Sequence, residues 1–306
     1  MIPVLDWRRF TADRDGFVAD LGRACRDTGF FLLTHHTVPA TLRAQVFAQA
    51  DAFFSLPEAD KQDISILNTP HYRGWGKAGE ESLDETSPLV DRKETFNIGY
   101  DLPETDPRVI AGEPFRGVNQ WPALPWFRDT MLAYYDAALT LGLALHRAFA
   151  AVLGLPADHF DELFDDPLAA LRLLHYPPAT GAADEIGAGA HTDYGAITLL
   201  MTDGEPGLQV KPRGGGWTDV PHVPDAYVVN IGDCLMRWTN DIYVSTPHRV
   251  LPPKRQRRSV AMFVETHPDT VIAALPGTGA PKYPAIRAAD YLQSRLDATY
   301  APTETI

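Results

Sequence analysis

Cysteine is nearly absent: Cys25 and Cys234 are the only two, far apart and without C-x-x-C spacing. A disulfide framework is therefore not expected, and reduced thiols in a cytoplasmic setting are the default. Long apolar runs are missing as well. The most apolar stretch, residues 137–155, is interrupted by His146-Arg147 and falls short of the ~20 residues a bilayer span needs. Positive charge is scarce, with 27 Lys+Arg against 40 Asp+Glu and a net charge of −13, which argues against a general phosphate-backbone binder. The opening MIPVLDWRRF lacks a basic region followed by an apolar one, so no signal peptide is expected. These absences predict a soluble, cytoplasmic protein with neither nucleic acid nor membrane as partner. Nothing in these absences names a substrate, and nothing in the sequence sets an oligomeric state.

What is present belongs to a globular chain: 45% hydrophobic and 22% charged residues over 306 positions, enough to bury a sizeable core. The 26 prolines exceed the usual ~5% and predict many short connections.

The first half has helical periodicity. Phe17, Leu21, Ala24 and Cys25 share a face of a helix that Gly29 ends. FFLLTHH then has the form of a buried strand, and Thr41 to Phe54 that of a second helix. Residues 68–120 are irregular, with short strands expected near Phe96 to Gly99. So long a connection is usually functional or disordered, and Asn68 to Gly99 is expected to cover a site as a lid. The longest helix is expected from Pro125 to Leu153, stopped by Gly154. Beyond Leu168 the period drops to two, and LRLLHYP, AITLLM, GLQVKP, WTDV, AYVVNIGD, LMRWT, VSTPHRVL and RRSVAMFVE are strand candidates. So many short strands predict a sandwich, jelly roll or barrel. The expected class is α+β, with helices around a β jelly roll. The expected division is an N-terminal region over 1–120 and a core over 168–268, with the 121–156 helix packing on it in one compact unit.

Three H-x-D triplets occur: His159-Phe160-Asp161, His191-Thr192-Asp193 and His267-Pro268-Asp269. The first sits at a helix start, where residues two apart do not face each other. The third lies in a proline turn. The second leads towards a strand, where residues two apart share a side and can share an ion. Downstream, His248 precedes a turn and then Arg257-Arg258-Ser259. Two histidines and a carboxylate on one face of a metal suit non-haem Fe(II) oxygenases. Alternation puts Arg257 and Ser259 on one side and Arg258 on the other. A guanidinium with a hydroxyl two residues on is suited to a carboxylate ligand.

Taken together, H-T-D (His191 to Asp193), GLQV (207–210), NIGD (230–233), TN (239–240), HRV (248–250) and R-x-S (257–259) resemble, in order, the iron- and 2-oxoglutarate-dependent dioxygenases of the isopenicillin N synthase-like family. IPVLDW, GFFLLTHHTVP and the stretch around YRGWGKAGEESLD are similar to that family's amino-terminal region. The resemblance implies a double-stranded β-helix (jelly roll) with flanking N-terminal helices. It implies Fe(II) held by His191, Asp193 and His248, with 2-oxoglutarate as co-substrate and O2 as oxidant. Arg257 and Ser259 match the residues that hold the distal carboxylate of 2-oxoglutarate, and Tyr176 matches a tyrosine at the same carboxylate. Where many members read Asn-x-Tyr-Pro, this chain reads Leu174-His175-Tyr176-Pro177, so the asparagine contact is absent or replaced.

The implied reaction couples oxidative decarboxylation of 2-oxoglutarate, to succinate and carbon dioxide, with oxidation of a substrate C–H bond, hydroxylation being the default. Oxidases of the same fold that use no 2-oxoglutarate, a metal-binding module without turnover and a zinc hydrolase are the alternatives. The zinc reading lacks a general-base motif such as H-E-x-x-H. Substrate contacts are expected from Tyr72, Arg73, Trp75, Glu81, Phe96 and Arg172. Amino acids, peptides, flavonoid-like aromatics and terpenoids all remain open as substrates.

Overall fold

The computed structural model describes residues 1–299 other than 85, 88 and 183; positions 85 and 88 of the expected lid thus lie outside the described residues. Twelve strands carry the architecture: β1 Val4–Asp6, β2 Phe30–Thr34, β3 Gly74–Gly76, β4 Glu94–Gly99, β5 Ala170–Tyr176, β6 Ala188–His191, β7 Ile197–Thr202, β8 Leu208–Val210, β9 Thr218–Asp219, β10 Tyr227–Ile231, β11 His248–Val250 and β12 Arg257–Val264. Eight of them form one sheet in the order β1-β2-β10-β7-β12-β5-β4-β3, and β6-β11-β8-β9 form a second. Within the large sheet every pairing of the described strands is antiparallel except β1 with β2. This is a jelly-roll core with flanking helices, an α+β fold, as the period change at Leu168 suggested.

Strand alternation sorts the apolar residues into two layers. Phe31, Phe96, Leu171, Leu173, Leu199, Val229, Val260 and Met262 face outward from the large sheet and merge with Phe17, Phe53, Tyr134, Leu141 and Phe149 of the helices. Their sequence neighbours Phe30, Leu174, Tyr176, Val228 and Ala261 face the other way and meet Ala188, Leu208, Val210 and Val250 of the small sheet. Each fully buried Leu, Val or Phe contributes roughly 1.5–3 kcal/mol over its exposed state. The outer layer fixes the sheet; the inner layer is incomplete and encloses the site.

The helices lie at Arg14–Asp27, Ala40–Phe54 and Phe127–Leu153, within a few residues of the periodic segments. Gly154 caps the last at φ 69°. That helix is long and apolar enough by length and composition to cross a membrane, yet Met131, Tyr134, Ala138, Leu141 and Leu145 are buried in the protein's own core. Gly142 lets it close on β12, since a Cβ there would come within 2.7 Å of Val264.

Three expectations are corrected. LMRWT is not a strand but part of the Asp233–Trp238 helix: Asp233 N–H donates to Asp193 O and Cys234 N–H to Gly195 O, so a tertiary contact starts the turn. His191 ends β6 instead of leading into β7, and Asp193 lies in the intervening turn. The 68–120 stretch holds, besides the strand expected near Phe96 to Gly99 (β4), an unexpected one, β3, and both extend the large sheet.

Candidate functional site

His191 and His248 are direct cross-strand partners, the last residue of β6 against the first of β11. Their rings stand 4.3 Å apart, centre to centre. The turn after β6 brings Asp193 back to them, with Oδ1 3.8 Å from His191 Nε2 and 3.7 Å from His248 Nε2. Asp193 Oδ2 is turned away and accepts from Thr198 Oγ1 and from Asn230 Nδ2 at 2.7 Å; Thr198 and Asn230 pair in register on β7 and β10. The Nδ1 atoms of the histidines lie 2.7 Å from Gly189 O and 3.2 Å from Thr246 O. A carbonyl only accepts, so each Nδ1 carries the proton and each Nε2 presents a lone pair to the shared space.

Burial, then the neighbouring His248 ring, pushes the His191 imidazole down to about 3. Burial alone would raise Asp193, but the two imidazoles and the bonds from Thr198 and Asn230 hold it below the usual range. The result is two imidazole nitrogens and one carboxylate oxygen within 4.8 Å of one another, a donor set suited to Fe(II). Among the described residues no other group of three such side chains converges. The other triplets are accounted for otherwise: Asp161 pairs with Arg147 at 2.7 Å, and His267 Nδ1 accepts from Asp269 N–H.

The triad opens into a cavity of about 160 Å³ between the two sheets. Register places Arg257 opposite Tyr176, and Ser259 opposite Leu174 and Thr202. Arg257 is 1% exposed. It donates to Ser259 Oγ and to the Glu205 carbonyl, both at 3.3 Å, and lies 5.0 Å from the Tyr176 ring centre. Arg258 points outward to Asp203 and Asp51, as alternation requires. No carboxylate pairs with Arg257 among the described residues.

Of the substrate candidates, Tyr72, Arg73 and Arg172 line the cavity. Trp75 packs in the outer core. Glu81 is buried behind the wall, 3.0 Å from Lys93 Nζ and 3.3 Å from Arg172. Phe96 is elsewhere: it packs on Phe53 and Phe127 in the outer core, because β4 turns that side chain towards the helices. Its neighbour Asn97 faces the cavity instead and accepts from Arg172 Nε at 2.8 Å. Alternation from Phe96 was the signal that would have found it. Sequence reasoning also missed the Ala288–Thr299 helix, whose Leu292, Leu296 and Thr299 close one side of the cavity; their spacing of four and three is a helical face.

Glu265 was missed too, though it continues the Arg257, Ser259, Ala261, Phe263 row into the cavity. Its carboxyl packs on Gly195, where a Cβ would come within 2.7 Å of it. Burial first, then Asp193 and Asp233, push it up to about 8. A carboxyl raised in the folded state holds its proton where the unfolded chain has lost it, so the stability it confers falls as pH rises from about 4.5 towards 8. In the metal-free protein, the melting temperature of the parent relative to Glu265→Gln should therefore decline across that interval. A constant difference would show that Glu265 ionises normally.

Comparison with known proteins agrees with this geometry. Residues 167–266 match the 2OG-Fe(II) oxygenase superfamily, and residues 2–124 match the family described as non-haem dioxygenase in morphine synthesis N-terminal. A 2-oxoglutarate-Fe(II) type oxidoreductase of Emericella nidulans is 35% identical over 99% of this chain and 91% of its own length. A full-length Neurospora crassa protein, solved in complex with alpha-KG and thymine, superimposes with a TM-score of 0.86 at 33% identity, covering 97% of this chain and 96% of that one. A 2OG-Fe(II) oxygenase family protein from Caulobacter crescentus gives 0.85 at 31% identity, over 96% and 98% of the two chains. With a relative of that identity spanning nearly its whole length, and with a His-Asp-His face on a jelly roll, the chain belongs to the 2OG-Fe(II) oxygenase superfamily.

Proposed function

We propose that the protein is an Fe(II)- and 2-oxoglutarate-dependent dioxygenase that oxidises, by default hydroxylates, an unactivated C–H bond of a small molecule, releasing succinate and carbon dioxide. One observation carries this reading. The same cavity holds the His191, Asp193, His248 face and a buried guanidinium, Arg257, that has a hydroxyl beside it and no acid partner among the described residues. In this reading Nε2 of both histidines and Oδ1 of Asp193 hold the metal. Arg257 and Ser259 take the distal carboxylate of 2-oxoglutarate, with the Tyr176 ring against the guanidinium. Leu174 stands where an asparagine would offer a further contact, so Arg257 carries more of the binding. When bound, the metal supplies one-electron and O2 chemistry that no side chain can provide.

The chain's own residues do the rest. Thr198 and Asn230 fix the carboxylate's orientation, the Gly189 and Thr246 carbonyls fix the imidazole tautomers, and the apolar inner layer keeps water from the reacting centre. The finer placement, with the isopenicillin N synthase-like members, rests on the order of H-T-D, NIGD, HRV and R-x-S along the chain.

The test is a substrate screen with anaerobically reconstituted protein exposed to O2. A true substrate should raise succinate release and O2 uptake together, in equal amounts. O2 uptake without succinate would make it an oxidase that does not use 2-oxoglutarate. Tight metal retention with neither, across the screen, would favour a binding module.

A further inference from the structure

Among the described residues four Lys and Arg side chains line the cavity: Lys93, Arg172, Arg257 and Arg73. Two are neutralised within the wall, Lys93 by Asp91 and Glu81, and Arg172 by Glu81. The reading above assigns Arg257 to the co-substrate. Arg73 is left. It is 5% exposed, its one side-chain hydrogen bond to a described residue is from Nη2 to the Phe115 carbonyl at 3.1 Å, and its Nε is buried with no partner. The nearby Asp101 acts on it only through space, with no hydrogen bond or ion pair between them; that carboxylate accepts from Arg128 at 2.7 Å and Asn119 at 2.9 Å. A second guanidinium, Arg116, is 1% exposed beside it and donates to the carbonyls of Asp166 and Pro167.

The backbone is bent to make this arrangement. Consecutive residues of an extended chain point to opposite sides, yet His71, Tyr72 and Arg73 all line the cavity. Tyr72 stands at φ 58° and Phe115, whose carbonyl receives Arg73, at φ 62°; left-handed conformations cost roughly 1–3 kcal/mol each in residues other than glycine. His71 Nδ1 is likewise buried without a partner.

From these observations we propose that this end of the cavity is an anion subsite, centred on Arg73, that takes the carboxylate of a small organic acid as the substrate to be oxidised. A buried guanidinium with no acid bonded to it carries a desolvation penalty that its surroundings offset only in part, and a ligand carboxylate offsets more of it through charge-assisted bonds to its planar fork. The surrounding Phe115, Leu168 and Phe263 suit an apolar body. Confusion with the co-substrate end is avoided by distance. The Arg73 guanidinium lies against Gly99, which pairs with Ala170, whereas Arg257 pairs with Tyr176; those positions lie about 20 Å apart along β5. Burial lowers the Arg73 side chain to about 10, so it stays cationic at neutral pH.

This inference rests on the proposed function, and one experiment separates their failures. Anaerobic Fe(II) protein is first titrated with 2-oxoglutarate, which fills the Arg257 end, and then with benzoate, phenylacetate and cyclohexanecarboxylate, each beside its neutral amide. We expect at least one acid to bind tenfold or more tighter than its amide. Arg73→Gln should erase that preference while leaving 2-oxoglutarate affinity unchanged, and Arg73→Lys should restore part of it. Should Arg73→Gln fail to fold, the parent protein still answers: the bound acid should slow phenylglyoxal modification of Arg73, mapped by peptide mass spectrometry, and the amide should not. Equal binding of acids and amides, or no protection of Arg73, overturns the subsite. Failure of 2-oxoglutarate itself to bind overturns the reading beneath it.

Discussion

Asp193→Ala should abolish iron retention and turnover, with metal affinity falling more than about a hundredfold, whereas His159→Ala and His267→Ala should leave both intact. The magnitude follows from what the carboxylate does. It supplies the only anionic donor of the set, at Oδ1, while Oδ2 satisfies two buried donors, Thr198 Oγ1 and Asn230 Nδ2. Truncation removes the charge that binds the dication and also leaves two polar groups unpaired, at about 1–3 kcal/mol each. Asn230→Leu separates these contributions: it keeps the ligand but frees its orientation, and such changes behind a ligand typically cost about 10–100-fold in affinity. Iron content after gel filtration, with succinate release alongside, measures all four variants. Stoichiometric iron and activity in Asp193→Ala, with no added anion, would remove Asp193 from the metal face.

The second large effect concerns two adjacent arginines. Losing one partner of a buried ion pair costs about 3–5 kcal/mol, and ~1.4 kcal/mol is tenfold. Arg257→Met should therefore weaken 2-oxoglutarate by about a hundredfold or more, with Arg257→Lys intermediate because it lacks the planar fork. Arg258→Met should change that affinity by less than about threefold; its losses are the contacts with Asp51 and Asp203, so it should affect stability in place of binding. Anaerobic titration of the Fe(II) protein gives both constants. Sensitivity at Arg258 with tolerance at Arg257 would mean that the co-substrate lies on the other face of β12.

Why these residues were legible from sequence is a matter of period. Arg257, Ser259 and Arg258 lie inside one regular strand, where alternation separated the first two from the third and the resemblance assigned the first two to the inner side. The same rule, applied at Phe96, would have returned Asn97. His191, Asp193 and His248 were found through spacing and motif order, but the local geometry differed from the strand expected. His191 ends one strand and Asp193 sits in a turn stapled to the Asp233–Trp238 helix, a contact between distant segments that no local pattern encodes. LMRWT failed for the same reason, since tertiary bonds at the start of its helix override an ambiguous short apolar run. The pairing of Glu81 with Lys93 was beyond reach because their role is to neutralise each other behind the wall, and nothing in a glycine-rich connection announces which charges will be buried.

The connection between β3 and β4 is tied to the metal face by an unbroken series of bonds. Arg172 meets Glu81, Glu81 meets Lys93, and Lys93 meets Asp91. Asp91 Oδ1 accepts from Gly189 N–H, and Gly189 O accepts from His191 Nδ1–H. Detaching this segment would strand buried charges and free the strand that carries His191. Opening this segment as a lid would have to break these bonds, so we expect it to open together with the ligand strand, the Gly189 amide exchanging its hydrogen only when both come apart.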